Sequence, residues 1–130
     1  MSKSNYLETK VLDAALGGQA FPSNANVYIS LHTADPGEAG AGAEVTGGSY
    51  ARKAVANDLT QWPSANPKVN ANVITFVTPT AGWGVVTHFG IWDAPTGGNL
   101  LFSGALTASK TINSGDPVTF AAGAISITED

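Results

Sequence analysis

The sequence predicts a mainly β protein, an antiparallel β-sandwich with one short N-terminal helix, and three observations lead there. Seven or eight short apolar runs of strand length are separated by Gly, Pro and Asn turns. Only residues 4–16 carry apolar residues at helical spacing. The stretch from Trp83 to Leu106 reads as two strands joined by Ala94-Pro95-Thr96-Gly97-Gly98, a connection with the glycines that a hairpin loop needs at positive φ. Both faces of that hairpin are largely apolar, which predicts a central pair covered on both sides. A jelly roll is one sandwich arrangement that fits, and the 130 residues are read as one domain.

The helix over 4–16 is expected to start at Asn5, with Glu8 three residues on to complete a capping box, and to end at Gly17-Gly18. Leu7, Val11, Ala14 and Ala15 form its apolar side, and Leu12 and Leu16 add a second edge, so it should lie against the sheet or a neighbouring subunit. The β-sandwich is expected over 25–129. Its first strand runs from Ala25 to Thr33, with Val27, Ile29 and Leu31 on one face and Tyr28, Ser30 and His32 on the other. The Ala34-Asp35-Pro36-Gly37 turn opens a Gly- and Ala-rich segment, read as an exposed, mobile loop over 35–48. Tyr50 to Ala56 is the next strand, and Trp62-Pro63 and Pro67 punctuate an irregular crossing. Val69 to Val77 reads as one strand stopped by Pro79. After the hairpin come Thr107 to Ile112, a turn at 113–117, and one or two final strands through Thr128.

Only 12% of residues are charged, against about 25% in ordinary soluble domains, while 43% are hydrophobic. So neutral a surface predicts assembly with other copies or another protein rather than a solitary monomer. A net charge of −4 and a single adjacent basic pair, Arg52-Lys53, give no basis for nucleic-acid binding. There is no cysteine, hence no disulfide or thiolate metal site. No stretch approaches the roughly 20 apolar residues of a membrane span, and MSKSNYLETK lacks a signal-peptide core, so no membrane role and synthesis in the cytoplasm are expected.

The search for chemistry returns bland readings. His32 and His88 lack partners at metal-ligand spacing and read as hydrogen-bonded sheet residues. Asp35, Glu38 and Glu44 are the one acidic concentration on a loop, but their spacing matches no calcium loop. Asp58, Asp93 and Asp116 fall in turn-like contexts rather than as paired catalytic carboxylates. No catalytic residue, cofactor or metal is therefore expected. Tyr50, Trp62, Trp83 and Trp92 read as core. A glycan-binding platform would require at least two of the tryptophans to be exposed and coplanar.

The phrases YISLHTADPGEAG, EVTGGSYAR, THFGIWDAPTGGNLLFSGAL and GDPVTFAAGAISIT, in this order and over nearly the whole chain, resemble a group of small bacteriophage virion proteins labelled tail fibre or capsid decoration proteins. The resemblance implies a non-enzymatic structural protein of the virion. Since the chain has room for one knob and no repetitive shaft, the expected role is capsid decoration: a cement protein, a homotrimer bound to the major capsid protein. The alternative is a tail or tail-fibre component, including a host-glycan-binding knob. Expected contact residues are Leu7, Val11 and Leu12 on the helix, Asp35, Glu38 and Glu44 on the loop, and Arg52 and Lys53, whose cations would meet acidic groups of a partner.

Overall fold

A computed structural model describes residues 2–40 and 42–129. In chain order the elements are β1 (Ser2–Lys3), α1 (Asn5–Leu16), β2 (Asn26–His32), β3 (Lys53–Ala56), β4 (Lys68–Val69) and β5 (Ile74–Thr75). They continue as β6 (Gly84–Trp92), β7 (Leu100–Ile112), β8 (Thr119–Phe120) and β9 (Ser126–Ile127). The protein is mainly β, every strand pairing is antiparallel, and α1 is the one helix among the described residues.

Five strands form one sheet in the order β1-β7-β6-β2-β3. The β2–β6 register sets Ile29 opposite Ile91 and Leu31 opposite Phe89. Strand alternation sends Val27, Ile29 and Leu31 to one face together with these partners. Over that face lie two short ladders, β4 with β9 and β5 with β8. They and their flanking residues bring Ile74, Phe76, Val118 and Ile125 into the same core, which Trp62 and Trp83 complete. The second layer is thus two ladders rather than a full sheet.

Several boundaries differ from the sequence expectation, each for a local reason. The helix is capped by Ser4, not Asn5: Ser4 is extended, and its Oγ accepts the Leu7 N–H at 3.1 Å. That hydroxyl also donates to the Leu100 carbonyl, and the Ser4 N–H donates to Leu101 O at 2.9 Å, so the cap ties α1 to β7. The stretch Val69 to Val77 is two strands because Asn70 breaks the ladder. Its buried amide accepts from Ile125 N and donates to Asn72 O and Ala121 O, stitching the two ladders together. The hairpin's second strand and the segment from Thr107 run on as a single β7. A register shift absorbs the residues between, since Val86 pairs with Lys110 while His88 already pairs with Ala105. From the run starting at Tyr50, only Lys53–Ala56 joins the sheet, while the Tyr50 hydroxyl accepts from Leu31 N–H, just past the β2 residues that pair with β3.

The segment 35–48 is anchored rather than free. Thr33 N–H donates to Ala43 O and Val45 N–H to Leu31 O, so the segment returns to pair with the end of β2, and Pro36 and Val45 are buried.

Ile125 is fully buried and Leu16 is 87% exposed. Ile125→Ala is expected to lower the unfolding free energy by about 2–5 kcal/mol. Leu16→Ala should change it by less than about 0.5 kcal/mol. Urea denaturation of both variants measures the difference, and equal losses would mean that the two ladders do not close the core.

Candidate functional site

Two features of the structure bear on function: a polar cluster on the far face of the sheet, and an apolar cavity beneath α1. The cluster follows from the alternation of β2. If Ile29 and Leu31 face the core, Ser30 and His32 must face the other way, and both are fully buried there. The Trp92 indole N–H donates to Ser30 Oγ at 2.8 Å. Ser30 Oγ lies 2.7 Å from His32 Nε2, and His32 Nδ1 lies 2.8 Å from the Gly42 carbonyl. A carbonyl only accepts, so His32 carries its proton on Nδ1, and Nε2 accepts from the Ser30 hydroxyl. Burial pushes the His32 imidazole below its ordinary pKa, against the raising effects of the Gly42 bond and of Glu44.

Glu44 and Arg52 close the cluster. Arg52 Nε and Nη2 donate to the two Glu44 carboxylate oxygens at 2.9 and 2.8 Å, a bidentate pair. Its Nη1 donates to Ala94 O and Gly97 O in the β6–β7 turn, both at 2.9 Å, and the guanidinium lies 3.8 Å from the centre of the Trp92 ring. Tyr50 O–H donates to Glu44 Oε2 at 2.7 Å and accepts from Leu31 N–H. Burial, reinforced by Glu44, drives the Tyr50 pKa upward, so the phenol stays protonated. For Glu44, burial alone would raise the pKa, but the hydrogen bonds from Arg52 and Tyr50 outweigh it and hold the carboxyl below its usual value.

Ser30 beside His32 has the outward form of a nucleophile and base, yet its geometry is structural. Neither residue is open to solvent, the serine oxygen already accepts from Trp92, and the imidazole is oriented by a backbone carbonyl rather than a carboxylate. The carboxylates singled out in the sequence hold turns. Asp58 accepts from Thr60 N and Gln61 N, Asp93 from Asn99, and Asp116 from Asn113 N. Asp35 accepts from Gly37 N, the Glu38 carbonyl accepts from Asn5 N, and Glu44 is in the cluster above. The three do not converge, and no group of three or more metal-ligating side chains occurs among the described residues. Trp62, Trp83 and Trp92 are all buried, which removes the tryptophan platform that a glycan-binding surface would need. No helix of the structure is long and apolar enough to cross a membrane.

The cavity, about 610 Å³, opens between α1, the end of the sheet and the crossing around Leu59 and Trp62. Leu7 and Val11 of α1 form one wall, and Val27, Ile91 and Phe102 the floor. Polar side chains at the mouth are engaged in holding the rim: Asn24 donates to Asp93 O, Asn57 to Asn24 O, and Lys68 to Trp62 O. Trp62 Nε1 is the one buried side-chain polar atom without a hydrogen-bond partner among the described residues. Phe21 and Leu59 stand exposed at the mouth, and Leu12 and Leu16 project from the outer side of α1.

Of the expected contact residues, Leu7 is buried in the fold, Val11 is half-buried in the cavity wall, and Leu12 is 61% exposed. Arg52 and its neighbour Lys53 part company: Arg52 turns into the cluster, while Lys53 remains exposed. Sequence reading missed the Glu44–Arg52 pair and the cavity. The only signal for the pair was two opposite charges flanking Tyr50 in a chain with few charges.

With this arrangement in view, the sequence over residues 2–128 matches the family described as podophage GP4 fiber I protein gp80. The chain belongs to that family. A comparison with curated proteins gives no match. Membership in a phage fiber family identifies the chain as a phage virion structural protein and accords with a polar cluster built for support rather than turnover.

Two measurements probe the site. With all three indoles buried, tryptophan emission of the fiber-family chain is expected to be blue-shifted and resistant to acrylamide, and a red-shifted, readily quenched spectrum would contradict the buried arrangement. Arg52→Ala removes the bidentate partner of the largely buried Glu44 carboxylate and the cation over Trp92, so a stability loss of about 3 kcal/mol is expected. Arg52→Lys should recover little of it, because an ammonium cannot span both carboxylate oxygens and two carbonyls. Full recovery by lysine in chemical denaturation would show that charge alone matters.

Proposed function

We propose that the chain is a building block of a phage tail fibre, joined to other fibre or tail proteins, including further copies of itself, through the apolar surface around α1. The observation that carries this reading is the exposure of Leu12, Leu16, Phe21 and Leu59 around an apolar cavity, in a chain of a fiber family. Apolar residues that project from α1 without a role in the core are a cost to a monomer and an asset to an interface. The rest of the α1 region is fixed: Ser4 ties its start to β7, and Leu7 its inner side to the fold.

The capsid-decoration role expected from the small size of the chain draws no support from the family, whose description is that of a fiber. A glycan-binding role for the tryptophans is likewise unsupported, because they lie inside. A homotrimer remains the assembly that this reading favours, with the outer leucines of α1 at its contacts.

Immunogold electron microscopy of intact virions is expected to place label on the tail. A regular lattice of label over the head would overturn the fibre reading and restore capsid decoration. The paired substitution Leu12→Asp with Leu16→Asp should leave the circular dichroism of the free chain unchanged, since both side chains are exposed, and abolish its incorporation into particles. Normal incorporation would show that α1 is not the joint.

A further inference from the structure

The cavity beneath α1 carries a charge pattern that its apolar walls do not require. Four charged residues line it, and three of them, Asp58, Asp93 and Glu129, are acids. The one cation, Lys68, is turned to the crossing, where its ammonium donates to Trp62 O at 3.0 Å and Pro63 O at 3.3 Å. Glu129 is paired with Lys3. The Asp93 carboxylate accepts from Asn99, and Asp58 accepts from Thr60 N and Gln61 N through Oδ1, but neither has an ion-pair partner among the described residues. The site is therefore an apolar hollow beside two uncompensated carboxylates.

That combination selects its occupant. A free small amine could enter the hollow, yet it would leave Phe21 and Leu59 exposed at the mouth, where they are 46% and 66% accessible. A protein segment covers both, with an apolar side chain in the centre and charges meeting at the rim. A second copy that offers its own α1 leucines fits poorly. Glu8, Leu12 and Leu16 follow one another at four-residue spacing, so they share one line along the helix. Leucines inserted into a neighbour's cavity would bring Glu8 toward Asp58 and Asp93, acid against acid. A segment with lysine or arginine beside its apolar residues meets the same carboxylates with the opposite sign.

We propose that the cavity beneath α1 is the socket for a basic, apolar segment of a different virion protein, whose apolar side chain enters between Val11 and Phe102 while its cations pair with Asp58 and Asp93. The inference rests on the reading of the α1 surface as a fibre joint and names the partner that its inner part takes. The two parts of the surface then have separate occupants: the outer leucines of α1 meet other copies, and the hollow meets the basic segment. Rim carboxylates in such a joint act on the rate of encounter and on the choice of partner, and the buried apolar side chain supplies the hold.

The test is photocross-linking in intact virions. Phe21, Leu59 or Leu12 is replaced by p-benzoylphenylalanine in the full chain, the particles are irradiated, and the linked peptides are identified by mass spectrometry. Positions 21 and 59 are expected to link to a segment of another virion protein in which lysine or arginine adjoins apolar residues. Asp58→Asn, which keeps the Oδ1 acceptor of its turn, should lower that yield about threefold. Links from 21 and 59 to another copy of this chain, links to a segment without basic residues, or an unchanged yield in Asp58→Asn overturn the proposal and leave the α1 joint standing. Links from position 12 alone do the same, whereas no link from any of the three positions ends both readings. Should the substituted chains not enter particles, NMR of the unaltered chain decides. A lysine-flanked Leu-Phe peptide is expected to shift the amides of Val27, Leu59 and Ile127 more than its glutamate-flanked twin at low salt, with the difference lost at high salt. Equal shifts, or none, overturn the proposal.

Discussion

The β2–β6 ladder is the constraint on which the rest of the structure depends, because its two faces are buried in opposite media. Ile29 and Leu31 enter a wholly apolar core, while Ser30 and His32, between and beside them, enter a hydrogen-bonded cluster. A one-residue slip of β2 would place a serine and a histidine among isoleucines and leave Trp92 and Gly42 without partners. The polar cluster therefore fixes register as much as it adds stability. Gly90 shows how close the fit is: opposite Ser30 in the ladder, it has no space for a Cβ, which would come within 2.6 Å of the serine oxygen.

From this ladder outward the structure is held by side chains that act at a distance in sequence. Asn70 joins β4 to the C-terminal segment, Ser4 joins α1 to β7, and Arg52 joins Glu44, the β6–β7 turn and Trp92. Each is a polar group doing between elements what longer ladders would do within a larger second sheet. Without a cysteine to staple the loops, the chain uses side-chain hydrogen bonds for such links.

What could be read from the sequence was what depends on neighbours along the chain. The alternation of Val27 to His32, the glycines after Asp93 and the helical spacing of Leu7 and Val11 each determine a local conformation, and the strand, hairpin and helix are where those residues predict. The sandwich class followed from these, and so did the reading of His32 as a hydrogen-bonded sheet residue. The Glu44–Arg52 pair and the cavity were not legible, because they depend on contacts between residues far apart. Glu44 meets Arg52 only after the chain has returned to the end of β2, and the floor of the cavity is assembled from three strands. Break points were misplaced where one side chain overrides a pattern, as Asn70 does within an otherwise strand-like run.

The distribution of charge links the architecture to its setting. Arg52 and Glu44 are turned inward to each other, and Lys3 is paired with Glu129, so an already small complement of charge is reduced further at the surface. Meanwhile Leu12 and Leu16 are left on the outside of a helix whose inner side is already satisfied by Leu7 and Val11. Selection for an isolated soluble domain would act against that combination, since net repulsion is what keeps free proteins apart. In the fibre joint proposed above a neighbouring protein would cover the leucines, and weak surface charge would be an advantage because little has to be desolvated when subunits meet.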